Sequence, residues 1–440
     1  MLNKFTFLLL FITVFGFSQG RFNLPRSEHT KIKFELINNL IVFPVEVNGA
    51  KLSFLLDSGV SKPILFNIIN ISDSIQINHV ESIYLRGLGD GGFIEALRSK
   101  QNIFKLGDAI NVNQEIYVIF DESINFTPRL GVPVHGIIGY DIFKDFIVEI
   151  NYSSKFLKLH NPKTYQYKKC KKCHAFDLEF NQNKPYINAE VEVNLNKIPV
   201  KLLIDSGGSD ALWLFEEDSL GIYPDTDKYF HDFLGKGLSG SVHGKRTKIS
   251  SFTLNSFHLK DVNAAFPDSS AISFARKFKE RNGSIAGEIL KRFNIIIDYN
   301  ASKITLKKNK NFKLPFQYNM SGVIIEQDGI RVVKEKSDLV GSDSYGNKSN
   351  NIKMVSVTES YKFVLKPAYK IVELRKDSPA ELAGLLIGDV ILRINGKEAH
   401  HLKMQDINEI LRANAGDVIK LKVDRNGIEL DFTFKLKSLF

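Results

Sequence analysis

Two short apolar runs in the chain end at the same polar tripeptide. Phe54-Leu55-Leu56 is followed by Asp57-Ser58-Gly59, and Leu202-Leu203-Ile204 is followed by Asp205-Ser206-Gly207. Each pattern predicts a buried strand that ends in a tight turn, because Asp, Ser and Gly are common turn residues. The two aspartates therefore stand at equivalent strand ends.

The two tripeptides lie 148 residues apart, and other residues keep the same spacing. The further matched pairs are Asn48 with Asn196, Gly89 with Gly237, and Gly139 with Gly287. Residues 45–159 therefore correspond to residues 193–307, and a repeat at a fixed offset predicts an internal duplication.

Two carboxyl groups that face each other suit peptide hydrolysis without a metal, a cofactor or a covalent nucleophile. One group takes a proton from water, while the other protonates the carbonyl oxygen of the peptide. A close pair holds one shared proton, because both carboxyl groups cannot ionise cheaply side by side. The Gly of each tripeptide allows the close approach of the two turns. The pattern predicts a pair formed by Asp57 and Asp205.

Each half continues with a glycine-bearing hairpin and then an apolar-apolar-Gly motif. The hairpins hold Gly87-Leu88-Gly89 and Gly235-Lys236-Gly237, and the later motifs are Ile137-Ile138-Gly139 and Ile285-Ala286-Gly287. This order resembles that of the pepsin and retropepsin type of aspartic peptidase, and in particular the bacterial retropepsin-like peptidases. The resemblance implies a mainly β chain with two pseudo-two-fold-related lobes, residues 32–161 and 185–310, and a linker over residues 162–184.

The resemblance also assigns roles to residues of the two turns. Asp57 and Asp205 would be the catalytic pair, which titrates as a unit, so acid and base are not distinguished. The hydroxyl groups of Ser58 and Ser206, in place of the more common Thr, would cross-link the turns. The glycine candidates are Gly59 and Gly207 in the turns and Gly87, Gly89, Gly235 and Gly237 in two flaps. Plain hairpins explain the flap glycines equally well.

The residue after each turn glycine departs from the family pattern. Val60 and Gly208 carry no hydroxyl group that could hydrogen-bond a catalytic carboxylate. The charged form of the pair loses stabilisation as a result. We therefore expect a working pH nearer neutral than that of pepsin.

The C-terminal residues 361–440 carry a second set of motifs. They are Ile371-Val372-Glu373-Leu374, Asp377-Ser378-Pro379-Ala380, Ala383-Gly384-Leu385, Gly388-Asp389-Val390-Ile391 and Ile394-Asn395-Gly396. They resemble a bacterial PDZ domain, which implies an α+β fold. A peptide, such as the C-terminal tail of a substrate or partner, would add as a strand along Ile371, Val372, Glu373 and Leu374, opposite a helix over residues 406–412.

Two segments connect these units to the rest of the chain. Within residues 311–360, Asp328-Gly329 lies between two apolar runs, which predicts a hairpin, and a polar Gly/Ser/Asn-rich stretch predicts a flexible loop. Cys170 and Cys173 lie in the Lys-rich linker. A local disulfide is the first expectation in an oxidising compartment, with a redox or metal site as the alternative.

The N-terminus predicts export to the periplasm or the extracellular space. Lys4 precedes the apolar run of residues 5–17, and Gly16-Phe17-Ser18 is a small-x-small cleavage site. We expect a signal peptide over residues 1–18. A membrane anchor is the alternative, but the run is shorter than the roughly 20 residues of a spanning helix. No transmembrane segment is expected in the mature chain.

Composition changes this picture little. The net charge of +10 comes from scattered lysines without a basic helix, which favours a solubilising surface and no nucleic-acid partner. The sequence thus predicts an exported aspartic endopeptidase that acts on peptide or protein substrates, with a PDZ domain that brings tails to it. A catalytically inactive peptide-binding or assembly scaffold of the cell envelope is the alternative. An envelope protein that binds carbohydrate or another ligand is a third.

Overall fold

The computed structural model describes residues 20–438, except residues 26, 69–74, 122, 226, 337–340, 343–347 and 350–360. The predicted signal peptide and most of the predicted flexible loop lie outside the described residues. Strands account for 52% of the described residues and helices for 9%, so the expected mainly β class is confirmed.

The first half of the duplication forms an eight-stranded sheet. The elements of this half are β1 (His29–Lys33), β2 (Glu35–Ile37), β3 (Leu40–Val47), β4 (Ala50–Leu56), β5 (Ile64–Leu65), β6 (Val80–Leu85), β7 (Ile94–Leu106), β8 (Ala109–Val118), α1 (Thr127–Leu130), β9 (Gly136–Ile138), α2 (Tyr140–Phe143), β10 (Ile147–Asn151) and β11 (Phe156–His160). The order across the sheet is β2-β3-β4-β9-β5-β8-β7-β6. The turn with Asp57 follows the end of β4, as the apolar run predicts.

The second half forms another eight-stranded sheet. Its elements are β12 (Cys173–Asp177), β13 (Glu179–Asn181), β14 (Lys184–Val193), β15 (Asn196–Ile204), β16 (Leu212–Leu214), β17 (Phe230–Gly237), β18 (Gly240–Leu254), β19 (Phe257–Pro267), β20 (Gly283–Ile285), α3 (Gly287–Leu290), β21 (Phe293–Asp298) and β22 (Lys303–Lys308), with 3-10 helices at Asp218–Leu220 and Ala275–Lys277. The order β13-β14-β15-β20-β16-β19-β18-β17 repeats that of the first sheet strand by strand.

A six-stranded sheet joins the halves in the order β1-β11-β10-β21-β22-β12. At its centre β10 and β21 pair antiparallel, with Val148 opposite Ile297 and Ile150 opposite Ile295. These four side chains are buried in one apolar core that spans both halves. The two strand ends that carry Asp57 and Asp205 are therefore fixed in a common scaffold.

The second part of the predicted linker over residues 162–184 contains two short strands. Cys173–Asp177 is β12, which pairs with β22, and Glu179–Asn181 is β13, which pairs with β14. The polar, Lys-rich sequence does not indicate a strand, but β12 lies at the edge of its sheet, where charged side chains are tolerated. The predicted local disulfide between Cys170 and Cys173 is confirmed.

The C-terminal unit is a five-stranded sheet of order β23-β26-β27-β29-β30, with one further strand paired to β27. Its elements are β23 (Val323–Lys336), β24 (Gly341–Ser342), β25 (Lys348–Ser349), β26 (Tyr361–Leu374), α4 (Pro379–Leu382), β27 (Val390–Ile394), β28 (Lys397–Glu398), a 3-10 helix at Ala399–His401, α5 (Met404–Leu411), β29 (Val418–Arg425) and β30 (Ile428–Lys435). The predicted helix over residues 406–412 corresponds to α5.

The predicted hairpin around Asp328-Gly329 is wrong. Both flanking runs belong to the single strand β23, which pairs with β26 along its length. Gly329 has a φ of +68° and lies at an irregularity of register between Gln327 and Ile330. An Asp-Gly pair that is able to form a turn here forms a bulge instead, because glycine accepts the left-handed region in either setting. The C-terminal unit therefore begins at Val323 rather than at residue 361.

Candidate active site and peptide groove

The two Asp-Ser-Gly turns are joined by reciprocal hydrogen bonds of their serines. The Ser206 hydroxyl accepts a hydrogen bond from the Ser58 N–H (3.0 Å) and donates to the carbonyl oxygen of Leu56 (2.9 Å). The Ser58 hydroxyl accepts from the Ser206 N–H (3.1 Å) and donates to the carbonyl oxygen of Ile204 (2.6 Å). Both serines are buried. Each half thus supplies one part of a symmetric link.

The carboxylates of Asp57 and Asp205 converge on the two turn glycines. The Gly59 N–H donates to Asp57 Oδ1 (2.7 Å), and the Gly207 N–H donates to Asp205 Oδ1 (3.0 Å). A Cβ atom at Gly207 would lie only 2.5 Å from Asp57 Oδ2. A Cβ atom at Gly59 would lie 3.1 Å from Asp57 Oδ1 and 4.0 Å from Asp205 Oδ1. The absence of side chains at both positions makes room for the facing carboxylates.

Burial raises the pKa of both carboxyl groups. For Asp57 the pKa rises to about 7, chiefly because the carboxyl group is shielded from water and also because of the nearby charge of Asp205. The hydrogen bond from the Gly59 N–H and the charge of Lys184 lower this pKa and so partly oppose the rise. For Asp205 burial also raises the pKa, although Arg281 is the largest influence that opposes this rise. Two neighbouring acids with raised pKa values retain a shared proton to higher pH than isolated carboxyl groups.

The sequence did not single out two basic residues that influence this pair. Lys184 begins β14, and its charge lowers the pKa of both aspartates. Arg281 is buried just before β20, where it donates to the carbonyl oxygen of Gly283 (3.1 Å) and to Ser284 Oγ (3.2 Å). No motif marks either residue among the scattered lysines and arginines. The sequence feature that could have indicated Arg281 is its position just before the strand that leads to Ala286-Gly287.

Two hairpin tips, one from each half, contact each other through their backbones. The Gly87 N–H donates to Ser239 Oγ (2.9 Å), and the Gly91 N–H donates to the Ser239 carbonyl oxygen (2.7 Å). In return the Ser239 N–H donates to the carbonyl oxygen of Leu88 (2.9 Å). The Gly89 N–H reaches Ala271 of the second half (3.0 Å). The loop after β6 and the turn between β17 and β18 are therefore closed on each other.

The flap glycines differ in their part in this contact. A Cβ atom added to Gly87 would lie 2.7 Å from Leu238, and one added to Gly89 would lie 2.5 Å from Ser239. A Cβ atom added to Gly237 would lie 2.2 Å from the carbonyl oxygen of Leu88. A Cβ atom at Gly235 would meet nothing within 4 Å. The structure thus brings three of the four predicted glycines to the closed tips, and Gly235 lies at a register shift of β17 instead.

The predicted peptide-binding strand, Ile371, Val372, Glu373 and Leu374, is not at the edge of its sheet. Ile371 lies opposite Ile325 of β23, and on its other side it exchanges hydrogen bonds with the loop before β27. Among the described strands β23 is at the edge, and it packs against α5. The edge strand that could pair with an added peptide is therefore β23, opposite α5, whereas Ile371–Leu374 lies inside the sheet. The apolar runs 323–325 and 371–374 are alike, so their composition does not indicate which of the two strands has neighbouring strands on both sides.

A model of the PDZ domain family matches residues 370–425. The C-terminal unit is thus a PDZ domain, and this family suggests protein or peptide partners. No curated protein matches the chain in a sequence comparison. None of the helices in the described part of the chain has the length and apolar character that crossing a membrane requires.

Two other features of the described residues lie away from the aspartate pair. Glu335, His400 and His401 each place one potential metal-ligand atom within 4.8 Å of the others, but Lys366 already pairs with Glu335 at 3.0 Å. A cavity of about 160 Å³ lies where residues of both halves meet the PDZ domain. Its Arg246 pairs with two aspartates of the second half, so this charge is neutralised within the fold.

Proposed function

We propose that the chain is an exported aspartic endopeptidase whose catalytic pair is Asp57 and Asp205. The observation that carries the proposal is the reciprocal link between Ser58 and Ser206, which holds two strand-end carboxylates against the same pair of glycines. The disulfide between Cys170 and Cys173 supports an oxidising location outside the cytoplasm. The PDZ domain would add a binding surface for protein or peptide partners.

The chemistry follows from one proton shared by two carboxyl groups. The ionised carboxylate takes a proton from a water molecule, whose oxygen attacks the peptide carbonyl carbon. The protonated carboxyl group gives its proton to the carbonyl oxygen, which yields a neutral tetrahedral diol. The carboxyl group that now holds the water proton gives it to the amide nitrogen, while the other carboxylate takes a proton from one hydroxyl group of the diol. The C–N bond then breaks to give a carboxylic acid and an amine, and the pair again holds one proton. Burial favours this state because it raises the pKa of both groups.

One observation favours the alternative, a peptide-binding scaffold without catalysis. The hairpin tips are closed, with Leu88 packed in an apolar cluster of the second half that includes Leu234 and Val242. Leu238 packs in return against an apolar cluster of the first half that also contacts Val60, beside the first turn. A substrate would have to separate these tips, whereas a scaffold could keep them closed.

Incubation of the mature chain with an unstructured protein distinguishes the two functions. The peptidase should cleave the protein, and a statine-type peptide mimic, whose hydroxyl group takes the place of the attacking water, should inhibit the cleavage. The mimic should also raise the melting temperature, since a ligand at 100 times its Kd adds about 2.7 kcal/mol to stability. A scaffold would cleave nothing. Binding of the mimic that persists in a variant with both aspartates changed to Asn would contradict the assigned site.

A further inference from the structure

A segment of the first half lies on both walls of the PDZ groove. Helix α1 packs against β23, which is one wall. On the other wall, the side-chain amide of Gln405 in α5 donates to the carbonyl oxygen of Leu130 (2.9 Å). Gly131 follows α1 in the left-handed conformation and lies against Met404, so that a Cβ atom there would come within 3.1 Å of Met404 Cβ. Residues 127–131 therefore cover the groove of their own chain.

Arg129 is the anchor of this contact. Its Nε donates to Glu326 Oε1 (2.5 Å) in β23, and its Nη2 donates to Glu373 Oε1 (2.9 Å) in β26. The guanidinium also lies over the ring of Phe233 in β17, 4.0 Å from the ring centre. The side chains of Arg129, Glu326 and Glu373 are 25%, 24% and 30% exposed, so these ion pairs are largely removed from water. Two carboxylates around one planar fork of donors select arginine over lysine.

The loop before β23 is poorly suited to bind the carboxylate of a chain end. Capture of a terminal carboxylate needs free backbone N–H groups. Here the N–H groups of Ser321 and Gly322 donate to Asn319 Oδ1 (3.1 and 3.3 Å), and the Val323 N–H donates to Ser321 Oγ (3.1 Å). These three donors are already satisfied within the loop, so a carboxylate would have to displace the side chains of Asn319 and Ser321.

We propose that the PDZ groove takes residues 127–131 of its own chain as an internal ligand and that it selects an arginine-bearing internal peptide segment rather than a chain end. Glu326 and Glu373 of the sheet select an arginine. The N–H groups of the loop are already hydrogen-bonded within the loop, so a free carboxylate gains no hydrogen bonds there. An external partner of this groove is a peptide or loop of the pattern Pro-Arg-Leu-Gly, and it competes with the internal segment. This inference does not depend on peptidase activity.

Binding of a labelled peptide to the full chain tests the proposal. The probe has the sequence of residues 125–133 and is acetylated and amidated, so that it carries no terminal charge. We expect weak binding to the native chain and binding at least about tenfold tighter to Arg129→Ala, because this variant removes two charge-assisted hydrogen bonds of the internal competitor. Changing the peptide arginine to alanine should weaken binding by a similar factor. A free carboxyl terminus after the leucine should give no gain.

Arg98→Ala is the matched control. Arg98 belongs to the same half and pairs with Glu81 (2.8 Å) and Glu115 (3.3 Å), away from the PDZ domain, so its loss should leave peptide binding unchanged. If Arg129→Ala fails to fold, Arg129→Lys keeps the charge without the planar fork and should give an intermediate gain. Equal binding by the native chain and the Arg129 variants would overturn the proposal. Tighter binding of a peptide with a free carboxyl terminus would overturn it as well.

Discussion

The hydroxyl group of Ser58 accepts a hydrogen bond from the backbone N–H of Ser206 (3.1 Å), and the hydroxyl group of Ser206 accepts one from the N–H of Ser58 (3.0 Å). The same hydroxyl groups donate to Ile204 and Leu56, the last residues of β15 and β4. Each strand end that carries an aspartate is therefore held by the other half of the duplication. Neither half alone can complete the arrangement.

Replacement of either serine by alanine should destabilise the fold. The change leaves a buried N–H group and a buried carbonyl oxygen without their partner, at a cost of about 1–3 kcal/mol in the free energy of unfolding. Threonine keeps the hydroxyl group and should restore most of the loss. Urea unfolding of Ser58→Ala, Ser206→Ala and the two threonine variants measures this. Equal stability of the alanine and threonine variants would show that the link contributes nothing.

The two turn glycines should respond unequally to alanine. A Cβ atom at Gly207 would lie 2.4 Å from Asp57 Cγ, whereas a Cβ atom at Gly59 would approach no closer than 3.1 Å to Asp57 Oδ1. Gly207→Ala must displace the carboxylate and should lower kcat/KM by about a hundredfold, since misplacement of reacting groups by about 1 Å costs this much. Gly59→Ala should lose less. A larger loss in Gly59→Ala would contradict the geometry of the pair.

Activity should fall as the pH rises through about 7, where the pKa of Asp57 lies. Above this pH the pair loses its shared proton, and no acid remains to protonate the carbonyl oxygen. Lys184→Met should move the alkaline limb of the kcat/KM profile to higher pH, because the Lys184 charge lowers the pKa of both aspartates. The control is Lys197→Met, an exposed lysine at the start of β15. A shift to lower pH in Lys184→Met would contradict this electrostatic account.

The same raised pKa predicts a dependence of stability on pH. Between 3.8, the ordinary pKa of an aspartic acid, and about 7, the folded chain keeps a proton that the unfolded chain releases. Stability from this group is therefore complete below the lower value and is lost as the pH rises through the upper one. Asp57→Asn should show a smaller decrease in melting temperature between pH 4 and pH 8 than the native chain. An equal decrease would mean that Asp57 is not the group responsible.

The sequence was informative where a feature recurs at a fixed spacing. The offset between Asp57 and Asp205 predicted an internal duplication, and in the structure the two halves form sheets with the same strand order. The apolar runs before the aspartates placed both at strand ends. The residue pair Ser378-Pro379 is typical of a helix start, and in the structure the Ser378 hydroxyl group caps α4 by accepting from the Glu381 N–H.

Features that depend on distant neighbours could not be predicted. The edge position of β23 follows from which strands flank β26, and its apolar run 323–325 is similar to the run 371–374 of β26 inside the sheet. Lys184 lowers the pKa of both aspartates and Arg281 that of Asp205 only because the fold brings β14 and the loop before β20 to the pair. Arg129 likewise meets Glu326 and Glu373 across 197 and 244 residues of chain.

The central claim is that Asp57 and Asp205 act as one catalytic unit. The most direct measurement is the cleavage rate of an unstructured protein by the native chain, Asp57→Asn, Asp205→Asn and the double variant. Asp108→Asn, an exposed turn residue of the first half, is the control, and circular dichroism verifies folding. The account predicts that each single change lowers the rate by at least about a hundredfold and that the double change adds little. A folded single variant that keeps most of the native activity would contradict the claim.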